Sequence, residues 1–225
     1  MGETIHRALK RVALGMATML VAPAVASYSI RARLLGRDRA LEGSTQALAL
    51  IPGLAGQYFR RAFLMRVLAA CHSSATVEFG TIFSRVDARI GENAYIGPRC
   101  HLGLVEIERD TLLAAGVHVP SGPHTHGTAL GSPFREQPGE RRCVRIGAGA
   151  WIGSGAVVMA NVGRGAVVGA GAVLTRPIPD RVLAVGVPAQ VVRDLTAPDT
   201  NRKPPRRERD TQGHPPQADG APGRR

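Results

Sequence analysis

Two histidines, His124 and His126, stand two positions apart in the segment PSGPHTHG. Imidazole has a pKa of about 6.5, so a histidine can accept a proton from a hydroxyl group near neutral pH and serve as a general base. A His-x-His pair can also bind adventitious metal, or merely lie solvated in a loop. The pair therefore marks a candidate catalytic loop, and its meaning depends on the elements that hold it.

The spacing of the cysteines and of the other histidines does not suggest a reactive site. Cys71, Cys100 and Cys143 are odd in number, widely spaced and without a C-x-x-C pair, which argues against a disulfide framework and a zinc site. We predict that they are small buried residues of a protein from a reducing compartment. Solvated or packed roles are predicted for the histidines outside the pair, which are His6, His72, His101, His118 and His214.

A six-residue repeat surrounds the pair. Between residues 77 and 192 an aliphatic residue recurs at six-residue intervals, commonly followed at once by glycine or another small residue. An α-helical stripe needs apolar residues three and four positions apart, so this period excludes a helix. It predicts a coil of short flat sides, each with one aliphatic residue inward and a glycine at the corner. The aliphatic positions are Ile90, Ile96, Ile107, Leu113, Ile146, Ile152, Val162 and Val168.

The repeat is interrupted where the histidines lie. Residues 121–143 leave the register completely, whereas the short interval between Val158 and Val162 removes only two residues. A loop of about 20 residues that leaves a regular solenoid is usually functional or disordered. We therefore predict a helical N-terminal segment over 1–75, a β-helix over 76–195 with the loop 121–143, and a tail over 196–225.

The repeat region resembles the hexapeptide-repeat acyltransferases, and in type the galactoside and exopolysaccharide O-acetyltransferases. The resemblance covers about residues 76–193 and is strongest in VRIGAGAWIGSGAVVMANVGRGAVVGAGAVLTRPIPDRVLAVGVPAQVVR, residues 144–193. That segment is similar to the family's closing coils, its Val-Thr-basic-x-Ile-Pro exit and its terminal G-x-P-A segment. The resemblance implies an all-β fold, a left-handed parallel β-helix, although the general rule for parallel crossovers favours the right hand.

The resemblance also implies an activity. Family members are homotrimers that transfer an acyl group from acyl-CoA, often acetyl-CoA, in sites between adjacent β-helices, and an extended loop carries their catalytic histidine. His124 falls on that position, and His126 is the second candidate. No metal is implied, because the thioester is already activated. The acceptor implied is a hydroxyl of a sugar or of a cell-surface glycan or glycolipid intermediate, as in polysaccharide biosynthesis.

Donor binding carries over to the closing coils. In related acetyltransferases the pantetheine arm of CoA lies along the outside of the helix and hydrogen-bonds to backbone, which small side chains permit. The same small residues could instead only make tight coils, and the two roles are compatible. The cofactor-binding residues implied by the resemblance are Trp151, Ser154, Gly169, Ala170, Thr175, Arg176 and Arg193.

Three features of the sequence concern the donor and acceptor regions. Trp151 precedes the inward Ile152, so we predict that it points outward, towards the cleft or into a trimer interface. Gln190 stands where galactoside-type members have a second arginine. Their acceptor asparagine has no counterpart near Ala94 and Tyr95, so the acceptor need not be a simple galactoside.

Residues 12–30 carry no charge and lie between basic residues. Their length is near the minimum for one membrane span, and Pro23, Ser27 and Ser29 weaken that interpretation. We favour an uncleaved anchor or a re-entrant hairpin over a helix packed on the body. A signal peptide ending at residues 24–26 is the least favoured interpretation, because CoA is a cytosolic cofactor. The flanking basic residues are Arg7, Lys10, Arg11, Arg31, Arg33 and Arg37.

A net charge of +12 would ordinarily suggest a nucleic-acid partner, but the distribution of the charge does not. Residues 1–70 hold +7 of it, and the repeat region is nearly balanced. Basic residues beside an apolar segment indicate an anionic membrane surface. We therefore predict membrane contact through residues 1–70 at the cytoplasmic face, no nucleic acid, and a disordered basic tail from about Thr196.

Three alternatives to O-acylation remain at this point. An N-acetyltransferase acting on an amino sugar would keep the fold and could use the same histidine. A non-catalytic β-helix scaffold would need only the repeat. A β-helix of the carbonic-anhydrase type would need three metal-binding histidines across two subunits, and the available ones are His101, His118, His124 and His126.

Overall fold

The computed structural model describes residues 12–196. Four helices come first: α1, described over Val12–Leu20, α2 over Ala22–Leu35, α3 over Arg37–Ala49 and α4 over Gly53–Val67. The predicted helical N-terminal segment is therefore confirmed over the described part. The predictions made for residues 1–11 and for the tail over 197–225 lie outside the described residues.

The two N-terminal helices bear on the predicted membrane anchor. Among the described residues, no single helix is long and apolar enough to cross a membrane. The pair α1 and α2 meets the criteria of length and composition together, but it is bent by 46°. One face of α1 packs on α4, where Ala17 and Val21 contact Ala62.

Short strands follow the helices and form three sheets. Sheet A has the order β1-β4-β7-β10, sheet B the order β16-β15-β13-β11-β8-β5-β2, and sheet C the order β14-β12-β9-β6-β3. The strands are β1 Ala70–Cys71, β2 Thr76–Val77, β3 Ile82–Phe83, β4 Arg89–Ile90, β5 Tyr95–Ile96, β6 His101–Leu102, β7 Val105–Ile107, β8 Leu112–Leu113, β9 His118–Val119, β10 Val144–Ile146, β11 Trp151–Ile152, β12 Val157–Val158, β13 Val167–Val168, β14 Val173–Leu174, β15 Val182–Val185 and β16 Gln190–Asp194.

The order of the strands makes a three-sided solenoid. The chain visits sheets A, B and C in turn, and we number the coils from β1–β3 (coil 1) through β10–β12 (coil 4) to β15 (coil 6). In coils 5 and 6 the sheet A side is reduced to single bridges at Val162 and Ile178. All pairings between coils are parallel, which confirms the predicted parallel β-helix; its left hand stays a prediction.

The core is the predicted column of aliphatic residues. Ile96, Leu113 and Ile152 lie in register across three neighbouring strands of sheet B, and each is fully buried. The other five predicted aliphatic positions are buried as well. Alanines four positions later fill the remaining interior, and at Thr111 the hydroxyl donates to the Gly147 carbonyl at 3.2 Å. The six-residue period in the sequence therefore correctly predicted which residue of each side points into the core.

The corners explain why glycine recurs. At Gly153 an added Cβ would collide with the backbone nitrogen of Ala170, because the corners of successive coils lie directly above one another. Gly171, one residue further along the next corner, has φ of +67°, a conformation that side chains rarely adopt. Glycine is thus required both by close approach and by backbone conformation.

Helices α3 and α4 cover the end of the solenoid at coil 1. Arg60 is buried; its Nε donates to the Val77 carbonyl at 3.0 Å, and its Nη1 donates to the Leu48 and Ile51 carbonyls at 3.1 and 2.8 Å. Burial lowers the pKa of Arg60, while the charge of Glu78 raises it. The side chain ties both helices to a strand edge that would otherwise stay unpaired.

The first side of coil 1 lies before the predicted boundary at residue 76. Strand β1, Ala70–Cys71, pairs with β4 in sheet A directly after α4. Both of its residues are only partly buried, so they carry no aliphatic signal of the repeat. The solenoid consequently begins inside the segment that the sequence assigns to the helices.

Truncation of one inward residue should destabilise the whole stack. We expect Ile152→Ala to lower the free energy of unfolding by about 2–5 kcal/mol, because it leaves a cavity between three coils that cannot collapse independently. Chemical denaturation of the full chain measures this. Leu130→Ala, at a 98% exposed position, is the control and should stay within about 0.5 kcal/mol of the unchanged protein. Equal losses in the two variants would contradict the assigned core.

Candidate active site

The loop 121–143 leaves the solenoid between β9 and β10, at the corner where sheet C passes to sheet A. Its base is fixed by the buried Ser121, whose hydroxyl accepts a hydrogen bond from the Leu104 amide at 2.8 Å. The two arms are joined by backbone bonds, from the Arg142 amide to the Ser121 carbonyl at 2.8 Å and from the Glu140 amide to the His124 carbonyl at 2.7 Å. The base of the loop is therefore a closed stalk.

Both loop histidines are exposed at the end of this stalk. Glu140 lies beside His124: Arg142, which donates to its carboxylate at 2.8 Å, lowers the pKa of Glu140, and the charge of His124 adds to that effect. No spacing in the sequence pointed to Glu140, since its closeness to His124 arises from the pairing of the two arms. The arrangement gives an accessible imidazole next to a carboxylate.

Five of the predicted donor residues line one cavity of about 410 Å³, at the corner where sheet B passes to sheet C. Trp151 forms the wall on sheet B; it is 52% exposed while Ile152 is fully buried, so it points outward as predicted. At Gly169 an added Cβ would lie 2.7 Å from the Val185 side chain, so the corner has no room for a larger residue in this conformation. The predicted residues in this cavity are Trp151, Ser154, Gly169, Ala170 and Arg193.

The turns at this corner have unused backbone donors. The amides of Ser154 and Ala170 donate to no group within residues 12–196. At the corner between sheets A and B, the equivalent Gly-x-Gly turns are satisfied, since Glu108 accepts from the Ala148 amide at 2.9 Å and Asp180 accepts from the Arg164 amide at 2.7 Å. Two exposed N–H groups in a cavity suit a ligand with carbonyl oxygens.

The remaining two predicted donor residues lie elsewhere. Thr175 and Arg176 line a separate cavity of about 300 Å³ together with Ile178, Pro188 and Gln190. Both follow β14, at the corner where sheet C passes to sheet A. The predicted set is thus divided between two cavities on two corners of the solenoid.

The histidine loop and the 410 Å³ cavity lie on different corners of the same protomer. The loop follows a strand of sheet C, whereas Ser154 and Ala170 follow strands of sheet B. A full side of the solenoid lies between these corners. His124 lines neither donor cavity of its own chain.

A larger cavity of about 530 Å³ on sheet A contains none of the predicted residues. Glu108 of its lining accepts from Arg145 Nε at 2.6 Å, and Arg164, also in the lining, lies 3.8 Å from the same carboxylate. Burial raises the pKa of Glu108, but the Ala148 amide and Arg145 lower it more. These contacts join coils 3, 4 and 5.

Of the remaining histidines and cysteines in the described part, Cys100 is buried and Cys71 partly buried, whereas the others are exposed: His72, His101, His118 and Cys143. His101 and His118 stack on adjacent coils of sheet C with ring centroids 5.0 Å apart, and burial, with the charge of His101, lowers the pKa of His118. Burial raises the pKa of Cys71 to about 12 and that of Cys100 to about 11, so both are thiols. The prediction of burial is wrong for Cys143, which is exposed at the end of the loop.

Within residues 12–196 no group of three or more His, Cys, Asp or Glu side chains lies close enough together to hold a metal ion. His101 and His118 form a pair only.

Residues 88–120 and 143–176 match a family model described as the hexapeptide repeat of succinyl-transferase. These two ranges consist of hexapeptide repeats. The two matched ranges are the coils on either side of the histidine loop, which the match leaves out. No curated protein matches the chain by sequence.

Solved structures of hexapeptide-repeat enzymes are similar to this chain. A galactoside acetyltransferase in complex with coenzyme A is 24% identical over 70% of this chain and 80% of its own, with a TM-score of 0.56. A maltose O-acetyltransferase from Clostridium difficile 630 is 23% identical over 72% of this chain and 88% of its own, with a TM-score of 0.61. At these identities the likeness is one of fold.

Proposed function

We propose that the protein is a CoA-dependent O-acyltransferase, acting on a hydroxyl of a sugar or of a cell-surface glycan or glycolipid intermediate. The observation that carries this proposal is the 410 Å³ cavity, which collects five of the donor residues implied by the resemblance and two backbone amides that donate to no group within residues 12–196. The two structurally similar acetyltransferases, one of them holding coenzyme A, support the same conclusion.

The cavity suits the pantetheine arm of acyl-CoA. That arm is a chain of two amides, whose carbonyl oxygens need donors along an extended path. The amides of Ser154 and Ala170 belong to successive coils, so they are spaced by about 4.8 Å along the solenoid axis. Trp151 offers an exposed apolar ring beside them. We assign this cavity to the pantetheine and the Thr175 and Arg176 cavity, on the copy of the chain that supplies the loop, to the phosphates of the donor.

His124 supplies the general base. A sugar hydroxyl is a weak nucleophile, so its proton must leave as the oxygen attacks the thioester carbonyl. The imidazole takes that proton, and the C–O bond forms. When the C–S bond then breaks, the imidazolium returns the proton to the sulfur, which leaves as CoA thiol. Glu140 carries negative charge beside His124.

The complete site requires two copies of the chain. Because the loop and the donor cavity lie on different corners, the loop of one copy must reach the cavity of the next. A contact between two different surfaces is heterologous, and such contacts close into rings rather than two-fold dimers. We propose a homotrimer. Tyr95, Leu112 and Trp151, stacked outward on sheet B and 37–52% exposed, offer an apolar surface for that contact.

Removal of the proposed base tests the mechanism. We expect His124→Ala to lower the rate of CoA release by about 10²–10⁴-fold, because proton removal from the acceptor is lost. Acyl-CoA binding, measured by calorimetry, should stay unchanged. His126→Ala, two residues away in the same loop, is the matched control and should keep most of the activity. Full activity of His124→Ala with an inactive His126→Ala would transfer the role to His126.

The donor cavity has its own matched pair of variants. Ala170 and Ala148 each occupy the centre of a Gly-Ala-Gly turn, at different corners of the solenoid. We expect Ala170→Phe to abolish acyl-CoA binding, because the ring fills the cavity, whereas Ala148→Phe should bind it as the unchanged chain does. Isothermal titration with CoA measures both. Equal affinities in the two variants would exclude this cavity as the donor site.

Mixed oligomers test the composite site. His124→Ala and Ala170→Phe are each expected to be inactive alone, but co-expressed copies should regain roughly a quarter of the unchanged activity per site, because each site joins two chains. The specific activity of the purified mixture measures this, with sedimentation giving the number of subunits. A mixture as inactive as its components would show that both residues serve the same protomer's site.

A further inference from the structure

The helices of the N-terminal segment form two layers over coil 1. Helices α3 and α4 contact the solenoid directly, through Thr45 with Phe83 and Arg60 with Val77. Helices α1 and α2 lie over α3 and α4, and Tyr28 of α2 meets Phe63 of α4 edge to face at 6.0 Å. Within residues 12–196 the outer layer is therefore the outermost part on the side of coil 1.

The outward face of this outer layer is apolar. On α1 the exposed large residues include Met16, Met19 and Leu20, and on α2 they include Ile30 and Leu34; these five are 61–78% exposed. No Asp, Glu, Lys or Arg occurs between residues 12 and 30. Water-exposed helices normally carry charge on the face away from the core, so such a face indicates an apolar environment.

A cluster of arginines borders the apolar face. Arg33 lies beside Leu34 in α2, Arg37 and Arg39 lie in the first turn of α3, and all three are exposed. The acidic residue nearest to them, Asp38, is already engaged, because it accepts from Arg85 at 2.7 Å and from the Val86 amide at 3.1 Å. The local charge is therefore positive and complementary to anionic headgroups.

We propose that the outward face of α1 and α2 inserts into the interface of an anionic lipid bilayer, with both helices in its plane and Arg33, Arg37 and Arg39 at the headgroups. The opposite face of α1 packs on α4 through Ala17 and Val21, a contact that a spanning helix would lose. The 46° bend at the junction of α1 and α2 also suits two helices that follow the surface formed by α3 and α4. This proposal stands apart from the acyl transfer, since none of these residues lines either donor cavity.

Vesicle flotation of the full chain tests the apolar half of the proposal. The unchanged protein should float with vesicles of phosphatidylcholine and phosphatidylglycerol. Met19→Glu with Leu34→Glu should remain at the bottom of the gradient, because two charges would enter the apolar layer. The matched control is Val187→Glu with Val192→Glu, which adds the same charge at positions 72% and 57% exposed, and it should float. The proposal is overturned if Met19→Glu with Leu34→Glu floats as the control variant does, or if the unchanged protein does not float.

The arginines are tested by lipid composition. Arg33→Ser, Arg37→Ser and Arg39→Ser together should remove the preference for phosphatidylglycerol over pure phosphatidylcholine, and added salt should do the same to the unchanged chain. A preference that survives both changes would refute the assigned charge cluster. CoA binding by the Met19, Leu34 and arginine variants should match that of the unchanged chain, which separates a failure of membrane binding from a failure of the proposed enzyme.

Depth measurements distinguish the bilayer interface from its alternatives. Met19→Trp or Leu34→Trp, each combined with Trp151→Phe, should be quenched best by lipids brominated near the headgroup, at a depth of about 5–10 Å. Quenching at the bilayer centre would indicate a spanning pair and overturn in-plane insertion. A change of oligomeric state in Met19→Glu with Leu34→Glu, seen by sedimentation without lipid, would instead assign this face to a second copy of the chain.

Discussion

Hydrogen bonds along the solenoid axis join each coil to the next, and every other feature depends on them. On sheet B the Gly97 amide donates to Leu113, the Ala114 amide to Ile152 and the Gly153 amide to Val168, all within 2.9 Å. These bonds form only if each side lies directly above the previous one. That requirement places one aliphatic residue inward on every side and leaves no room for a side chain at corners such as Gly153.

A scaffold of repeated corners acquires function where one corner differs from the others. At the corner between sheets A and B, the carboxylates of Glu108 and Asp180 occupy the turn amides and tie the coils together. At the corner between sheets B and C the same kind of turn leaves the amides of Ser154 and Ala170 without an acceptor among residues 12–196, beside an exposed Trp151. The backbone is nearly the same, so the difference in chemistry comes from which side chains lie nearby.

The two ends of the solenoid need separate solutions, because a stack of parallel strands leaves unpaired edges. At the far end β16 turns back antiparallel to β15 and covers the last coil. At the near end Arg60 donates to carbonyls of a strand, of α3 and of the following turn. Helices α3 and α4, which cover this end, support α1 and α2 in turn. The apolar outer layer is therefore held at a fixed place relative to the coils.

The sequence by itself determined the solenoid, its core and the position of the histidine loop, because these follow from contacts that repeat every six residues. Tertiary structure alone decided the burial of Arg60, the exposure of Cys143, the closeness of Glu140 to His124 and the division of the donor residues between two cavities. It also placed His124 and Ala170 on different corners. Each of these features depends on which sheet a turn follows or on which distant segment of the chain covers it. The six-residue period is the same in every case, so it does not distinguish them.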